Sequence, residues 1–201
     1  VTFSKKYFKV KKEFFPKLKI KEGPSFYFQD TYMRIKKKYD IKVLLILSGI
    51  ETLDKKLIEF TNYTMNMNSK IRVVLKCHPI LPFNKLKKVV KSEDLDKFEV
   101  SYKSLNYLLR KTKITISSGP TSGTLESINN GCYLISPILE PYDALNLKLL
   151  NIPKQNYKLV SSKFDLFKEI NKNYTKKKIP LKRKKFLFKK LNRNNISMFI
   201  R

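Results

Sequence analysis

From Ile41 onward short apolar runs alternate with segments of helical spacing, joined by breaks of small or polar residues, and no internal sequence repeat is evident. Ile41 to Leu47 reads as a strand of the kind found in parallel sheets covered on both faces, and Ser48-Gly49 ends it. Leu53, Leu57, Ile58 and Phe60 then give a helical spacing through about Thr64. Ile71 to Cys77 is a second strand, ending at His78-Pro79, and a short helix follows near Leu86 to Val90. Phe98 to Ser101 is a weaker strand, after which Ser104 can cap a helix carrying Leu105, Leu108 and Leu109. Strand Lys113–Ile116, helix Ser122–Asn130, strand Cys132–Ile135, strand Tyr157–Val160 and helix Phe164–Ile170 complete the series. Alternation of this kind with short connections predicts an α/β fold: an open parallel sheet with helices on both faces.

Such sheets bind ligands at the carboxyl ends of their strands. The unusual residues of this chain fall at those ends: Ser48 and Gly49, Lys76 with His78 and Pro79, the run Ser117 to Thr124, and Ser136-Pro137. The run Ser117-Ser118-Gly119-Pro120-Thr121-Ser122-Gly123-Thr124 joins an apolar strand to a helix start. The first N–H groups of a helix lack intrahelical partners and carry partial positive charge, so this junction reads as a phosphate cradle. Glu126 lies four residues after Ser122, at the spacing that shares a helix face, where a carboxylate can accept from a sugar hydroxyl. His78 is the only histidine, and the following proline biases it towards an extended backbone. Its imidazole can donate to a phosphate or a base carbonyl, and Lys76 can add fixed positive charge.

Other chemistries fit less well. The run lacks the lysine and spacing of a Walker loop and does not match G-x-G-x-x-G. It also carries Ser122 one place late for the hydrolase motif G-x-S-x-G. No Cys, His or carboxylate cluster has metal-ligand spacing, so neither a metal nor a cofactor is expected. The formal net charge of +28 invites a nucleic-acid partner. Only six of the 44 basic residues are arginine, however, and base reading favours arginine, so nucleic acid is disfavoured.

The lysines are spread along the chain and are densest in Lys176–Lys178 and around Lys182–Leu191. There they flank an apolar stripe, as in a solvated helix packed by one side or a helix lying on an anionic membrane. A solvated terminal helix is the expected reading of this basic tail at 176–201, with peripheral membrane contact through residues 176–193 as the alternative. Residues 1–40 are rich in Lys and aromatics, with breaks at Pro16, Gly23 and Pro24, and read as the remnant of a preceding domain plus a linker. A start at Val1 fits a fragment or a processed chain. The sequence shows no signal peptide and no apolar run approaching the ~20 residues of a membrane span. Cys77 and Cys132 read as free thiols in a reducing compartment. The expected location is the cytoplasm, including the inner face of the cytoplasmic membrane.

Two of these motifs carry a family resemblance. Lys76-Cys77-His78-Pro79 resembles the K-x-H-P strand end of bacterial GT-B glycosyltransferases that build surface polysaccharides. The segment from Ser117 to Glu126, followed by Gly131 and Ile135-Ser136-Pro137, is similar to their donor-binding segment. The pair is most similar to bacterial sialyltransferases and polysialyltransferases. Ser127 stands where many members have Ala, and Gly119-Pro120 departs from their turn. The resemblance spans residues 41–170 and implies one Rossmann-like half of a GT-B fold, with the nucleotide-binding domain at 41–175. It implies that His78 contacts the nucleotide and stabilises the leaving group. Ser117, Ser118, Thr121 and Ser122 would hold the phosphate, with Gly119, Gly123 and Thr124 also in the nucleotide site, and Glu126 would bind the ribose hydroxyls. The implied reaction moves a sugar from a nucleotide-sugar such as a CMP-sugar to a surface glycan or lipid-linked acceptor. The catalytic base of many inverting members lies in their other domain, so none is assigned here, and the chain is expected to be inactive alone. Alternatives are a nucleotide-sugar epimerase or polyol-phosphate transferase of the same fold, or a non-enzymatic basic adaptor binding lipid or nucleic acid.

Overall fold

The computed structural model describes residues 16, 17, 19, 39–119, 121–140, 152–177 and 179. Most of the segment 1–40 and of the basic tail 176–201 lies outside these residues, as does Pro120. In chain order the elements are β1 (Ile41–Ile46), α1 (Glu51–Met67), β2 (Val73–Lys76), α2 (Phe83–Leu86), α3 (Ser92–Leu95) and β3 (Glu99–Val100). Then come α4 (Leu105–Lys111), β4 (Thr112–Ile116), α5 (Ser122–Asn129), β5 (Tyr133–Pro137), β6 (Tyr157–Val160) and α6 (Lys163–Tyr174).

The six strands form one parallel sheet in the order β3-β2-β1-β4-β5-β6. This is the expected open α/β sheet, and its strand order is that of the Rossmann fold. The chain leaves β1 towards one edge, then returns across β1 to lay down β4. Connections therefore diverge between β1 and β4, which opens a crevice above the carboxyl ends of those two strands.

Alternation along the strands makes two cores. Val43 and Leu45 of β1 share a cluster with Ile114 and Ile116 of β4, Leu57 and Ile58 of α1, and Leu166 and Ile170 of α6. Leu44 and Ile46 point the other way, onto Leu108 and Leu109 of α4 and onto Cys132. Leu44, Leu45, Ile114, Ile116, Leu134 and Ile135 are all fully buried. Each such side chain contributes roughly 1.5–3 kcal/mol by leaving water.

Several boundaries differ from the expected ones, for local reasons. The helix expected over Leu86 to Val90 lies earlier, at Phe83–Leu86, because Pro82 takes the extended N-cap conformation, and residues 87–90 form turns instead. The α3 turn was not foreseen, since four residues are too few to show a period. It buries Leu95 behind an acidic first turn of Glu93 and Asp94. The β5 strand runs on to Pro137, so Ser136 lies inside the sheet, fully buried, rather than beyond the strand end. The α6 helix continues past Ile170 because its end is tied down. The Tyr174 hydroxyl donates to the Lys70 carbonyl at 2.9 Å and accepts from the Arg72 N–H at 3.0 Å. Buried Lys113 donates to the carbonyls of Tyr174 and Lys176 at the negative end of the helix. Among the described residues, no helix is long and apolar enough to cross a membrane.

Candidate functional site

The ladder bonds that continue past the strand ends bring the rim loops together. Leu47 N–H donates to the Lys76 carbonyl at 3.0 Å, and Ser101 N–H to the Leu75 carbonyl at 2.9 Å. Two residues beyond the first of these bonds, Gly49 meets His78. A side chain cannot fit between them: a Cβ on Gly49 would lie 2.5 Å from His78 Nδ1, and Gly49 has φ +85°, where L-residues are strained.

His78 itself sits on a turn. Pro79 fixes the second position, and Leu81 N–H donates back to the His78 carbonyl at 3.1 Å. The same turn brings Ile80 N–H to His78 Nδ1 at 3.2 Å. With Nδ1 accepting, the neutral ring carries its proton on Nε2 and offers it as a donor.

The β1 end is held by a residue the sequence reading passed over. Asp54, in the first turn of α1, is 0% exposed. Its Oδ1 accepts from Ser48 N–H at 2.7 Å and from the Ser48 hydroxyl at 2.8 Å, and its Oδ2 accepts from Gly49 N–H at 2.9 Å. Ile50 N–H donates to the Ser48 hydroxyl at 3.1 Å. Burial raises the Asp54 pKa above its ordinary value. The bonds from Ser48 and Gly49, and the nearby His78, pull the other way. Ser48 and Gly49, read from sequence as ligand contacts, thus spend their N–H groups on a carboxylate of the protein. The signal available was an acidic residue in the first turn after Ser-Gly, a position from which a side chain can fold back onto the turn.

The β4 end is built from hydroxyls. Thr121 caps α5, accepting from Thr124 N–H at 3.4 Å. The Thr124 hydroxyl lies 3.1 Å from both Ser117 Oγ and Thr121 Oγ1 and donates to the Gly119 carbonyl at 3.2 Å. The Ser118 hydroxyl donates to the Pro137 carbonyl at 3.0 Å, and Ser127 to the Gly123 carbonyl at 2.6 Å. Ser117, Ser118, Gly119, Gly123 and Thr124 are buried, Thr121 is half-buried and Ser122 is exposed. Gly123 lets the start of α5 lie close on β1, since a Cβ there would be 3.0 Å from Ile46 Cγ2. The buried hydroxyls therefore shape the turn. Ser122 is the exposed residue beside half-buried Thr121, and the first-turn N–H groups of Ser122 and Gly123 have no intrahelical acceptor. Glu126 is buried, unlike Ser122 one turn earlier.

Beyond His78, away from the crevice, lies a pocket of about 150 Å³ between the ends of β2 and β3. Lys76, Cys77, His78 and Pro79 line one side, and Phe83, Val100, Ser101 and Tyr102 take part in the other. Phe83, Ser101 and Tyr102 carried no motif in the sequence. Burial pushes the Cys77 thiol up to about 11, with the Asp54 charge adding to it, so it is protonated and unreactive at neutral pH. Among the described residues no three His, Cys, Asp or Glu side chains gather as a metal site.

No protein-family model matches the chain, and no curated protein matches it. Solved structures do. The chain is similar to the C-terminal domain of the glycosyl transferase group 1 family protein LpcC from Francisella tularensis, at 15% identity over 75% of this chain and 83% of that one, with a TM-score of 0.42. It is also similar to the pneumococcal O-GlcNAc transferase GtfA, solved with UDP and GlcNAc, at 12% identity and a TM-score of 0.49. That likeness covers 86% of this chain but 36% of the GtfA chain, so this chain spans about a third of its length. Both neighbours are glycosyltransferases. The chemistry of this chain rests on its own residues.

Proposed function

We propose that the chain is the donor-binding half of a GT-B glycosyltransferase that takes a nucleotide-sugar, a CMP-sugar such as a sialic acid donor foremost, and delivers the sugar to a surface glycan or lipid-linked acceptor. The observation that carries this reading is the strand order. It places His78 at the end of β2 and the start of α5 beyond β4 on either side of β1. Two strand spacings separate them, roughly 10 Å. Between them is Gly49, which has no side chain to obstruct a ligand.

A nucleotide phosphate seated on the α5 side of Gly49 would receive hydrogen bonds from the first turn of α5, Thr121 and Ser122 on one side and from His78 Nε2 on the other. These donors, with Lys76 nearby, would stabilise charge developing on the departing phosphate. The pocket beside His78, with Phe83 and Tyr102 in its wall, suits the flat apolar faces of a base. The group that activates the acceptor is assigned to no residue of this chain.

Isothermal titration with CMP, CDP and UDP tests the reading. Saturable binding is expected, tightest for CMP. A folded sample that binds none of the three overturns it.

A further inference from the structure

We infer that Asp54 is a positioning residue for His78, acting through the Ser48-Gly49 turn to fix which ring nitrogen faces the ligand. The inference rests on the reading of His78 as a ligand-contacting group, which it deepens. Asp54 is fully buried, and its carboxylate draws the N–H groups of Ser48 and Gly49 and the Ser48 hydroxyl onto itself. That closure sets Gly49 at φ +85° directly against the imidazole. The ring is then held between Gly49 and the Ile80 N–H, which donates to Nδ1. Flipping the ring would lose that bond and set Cδ2–H against the Ile80 N–H. Nε2–H is left as the outward donor.

The β1 turn is a place where a Rossmann-order sheet can receive a phosphate on backbone N–H groups. Here Asp54 already supplies the anion, and its charge repels another. The ligand's phosphate is directed to the α5 side, with His78 reaching it from across Gly49.

The chain has a single histidine, so its ring nitrogens can be read without ambiguity. Long-range ¹H–¹⁵N correlation of the free full chain in alkaline buffer is expected to show one neutral tautomer, protonated on Nε2. Asp54→Asn removes the charge and replaces one acceptor with a donor facing Gly49 N–H. Gly49→Ala leaves Asp54 intact but forces a Cβ onto the ring. Both variants are expected to give the two tautomers in comparable amounts, to shift the Ile80 amide signal, and to weaken CMP binding about tenfold. Retention of the wild-type tautomer and Ile80 shift in folded Asp54→Asn overturns the inference. If Asp54→Asn does not fold, an unchanged ring in Gly49→Ala overturns it equally. Failure of the wild type to bind CMP counts against the donor-site reading alone, because the tautomer measurement needs no ligand.

Discussion

The two strand-to-helix turns that flank the crevice begin alike and end differently. Each follows a buried strand, each contains a glycine with positive φ (Gly49 at 85°, Gly119 at 75°), and each leads into a helix whose N-terminus points at the rim. At β1 the turn's N–H groups are occupied by the carboxylate of Asp54. At β4 the turn is braced by Ser117, Thr121 and Thr124 hydroxyls, which are neutral. A carboxylate cancels the positive end of its helix, whereas hydroxyls brace the turn and leave that field intact. On the proposed reading, a small-residue turn before a helix is not by itself an anion site, and the charge of the group that braces it decides.

Copying the β1 solution onto the β4 turn is the strongest way to break this contrast. Ser122→Asp places a carboxylate at the first position of α5. Calorimetry is expected to show CMP affinity falling about 100-fold. Thermal melting should show no loss of stability, because an acid at a helix N-terminus is favourable by about 0.3–1 kcal/mol. Equal loss of both would mean that the turn was simply damaged.

Thr124→Val tests the brace. It keeps the shape but removes the hydroxyl that serves Ser117, Thr121 and the Gly119 carbonyl, at an expected cost of about 1–3 kcal/mol in urea unfolding. Thr124→Ser should recover most of it.

These two turns also show what a sequence can reveal. The parallel sheet was legible because Leu44, Leu45, Ile114, Ile116, Leu134 and Ile135 are buried on both faces, and double burial leaves near-continuous apolar runs. The rim was legible because strand ends are where Gly, Ser and His interrupt those runs. The roles of Ser48, Ser117 and Thr124 were not legible. A hydroxyl that braces a turn and one that meets a ligand look the same in a sequence, and the difference is burial and partner. Asp54 was hidden for a related reason: an acid in a helix first turn is ordinary, and only the closed turn shows what it holds. The α3 turn and the Pro137 end of β5 depend on tertiary pairing that no local period announces.

A smaller effect follows from the buried carboxylate. Because burial raises the Asp54 pKa above its ordinary 3.8, folding favours its protonated form. Its stabilising effect is greatest below that value, declines as pH rises through the raised pKa, and is level above it. Unfolding free energies of wild type minus Asp54→Asn, followed from acid to neutral pH, are expected to fall in that window and then flatten. A difference that rises with pH would reverse the sign of the argument.

The smallest change expected is at Cys77, beside His78. With its thiol pushed up to about 11, iodoacetamide labelling should be slow at pH 7 and quicken only in alkali. Fast labelling at neutral pH would mean that the pocket wall is more open than its burial indicates.

On the proposed reading the anion site belongs to the β4 turn and His78, not to the β1 turn. Titrating ¹⁵N-labelled full chain with CMP, and separately with inorganic phosphate, while following backbone amides tests it most directly. The largest shifts are expected at Thr121, Ser122 and Gly123 together with the His78 ring, with the Ser48 amide holding its place on Asp54. Largest shifts at Ser48 and Ile50, with Ser122 and Gly123 unmoved, would contradict the account.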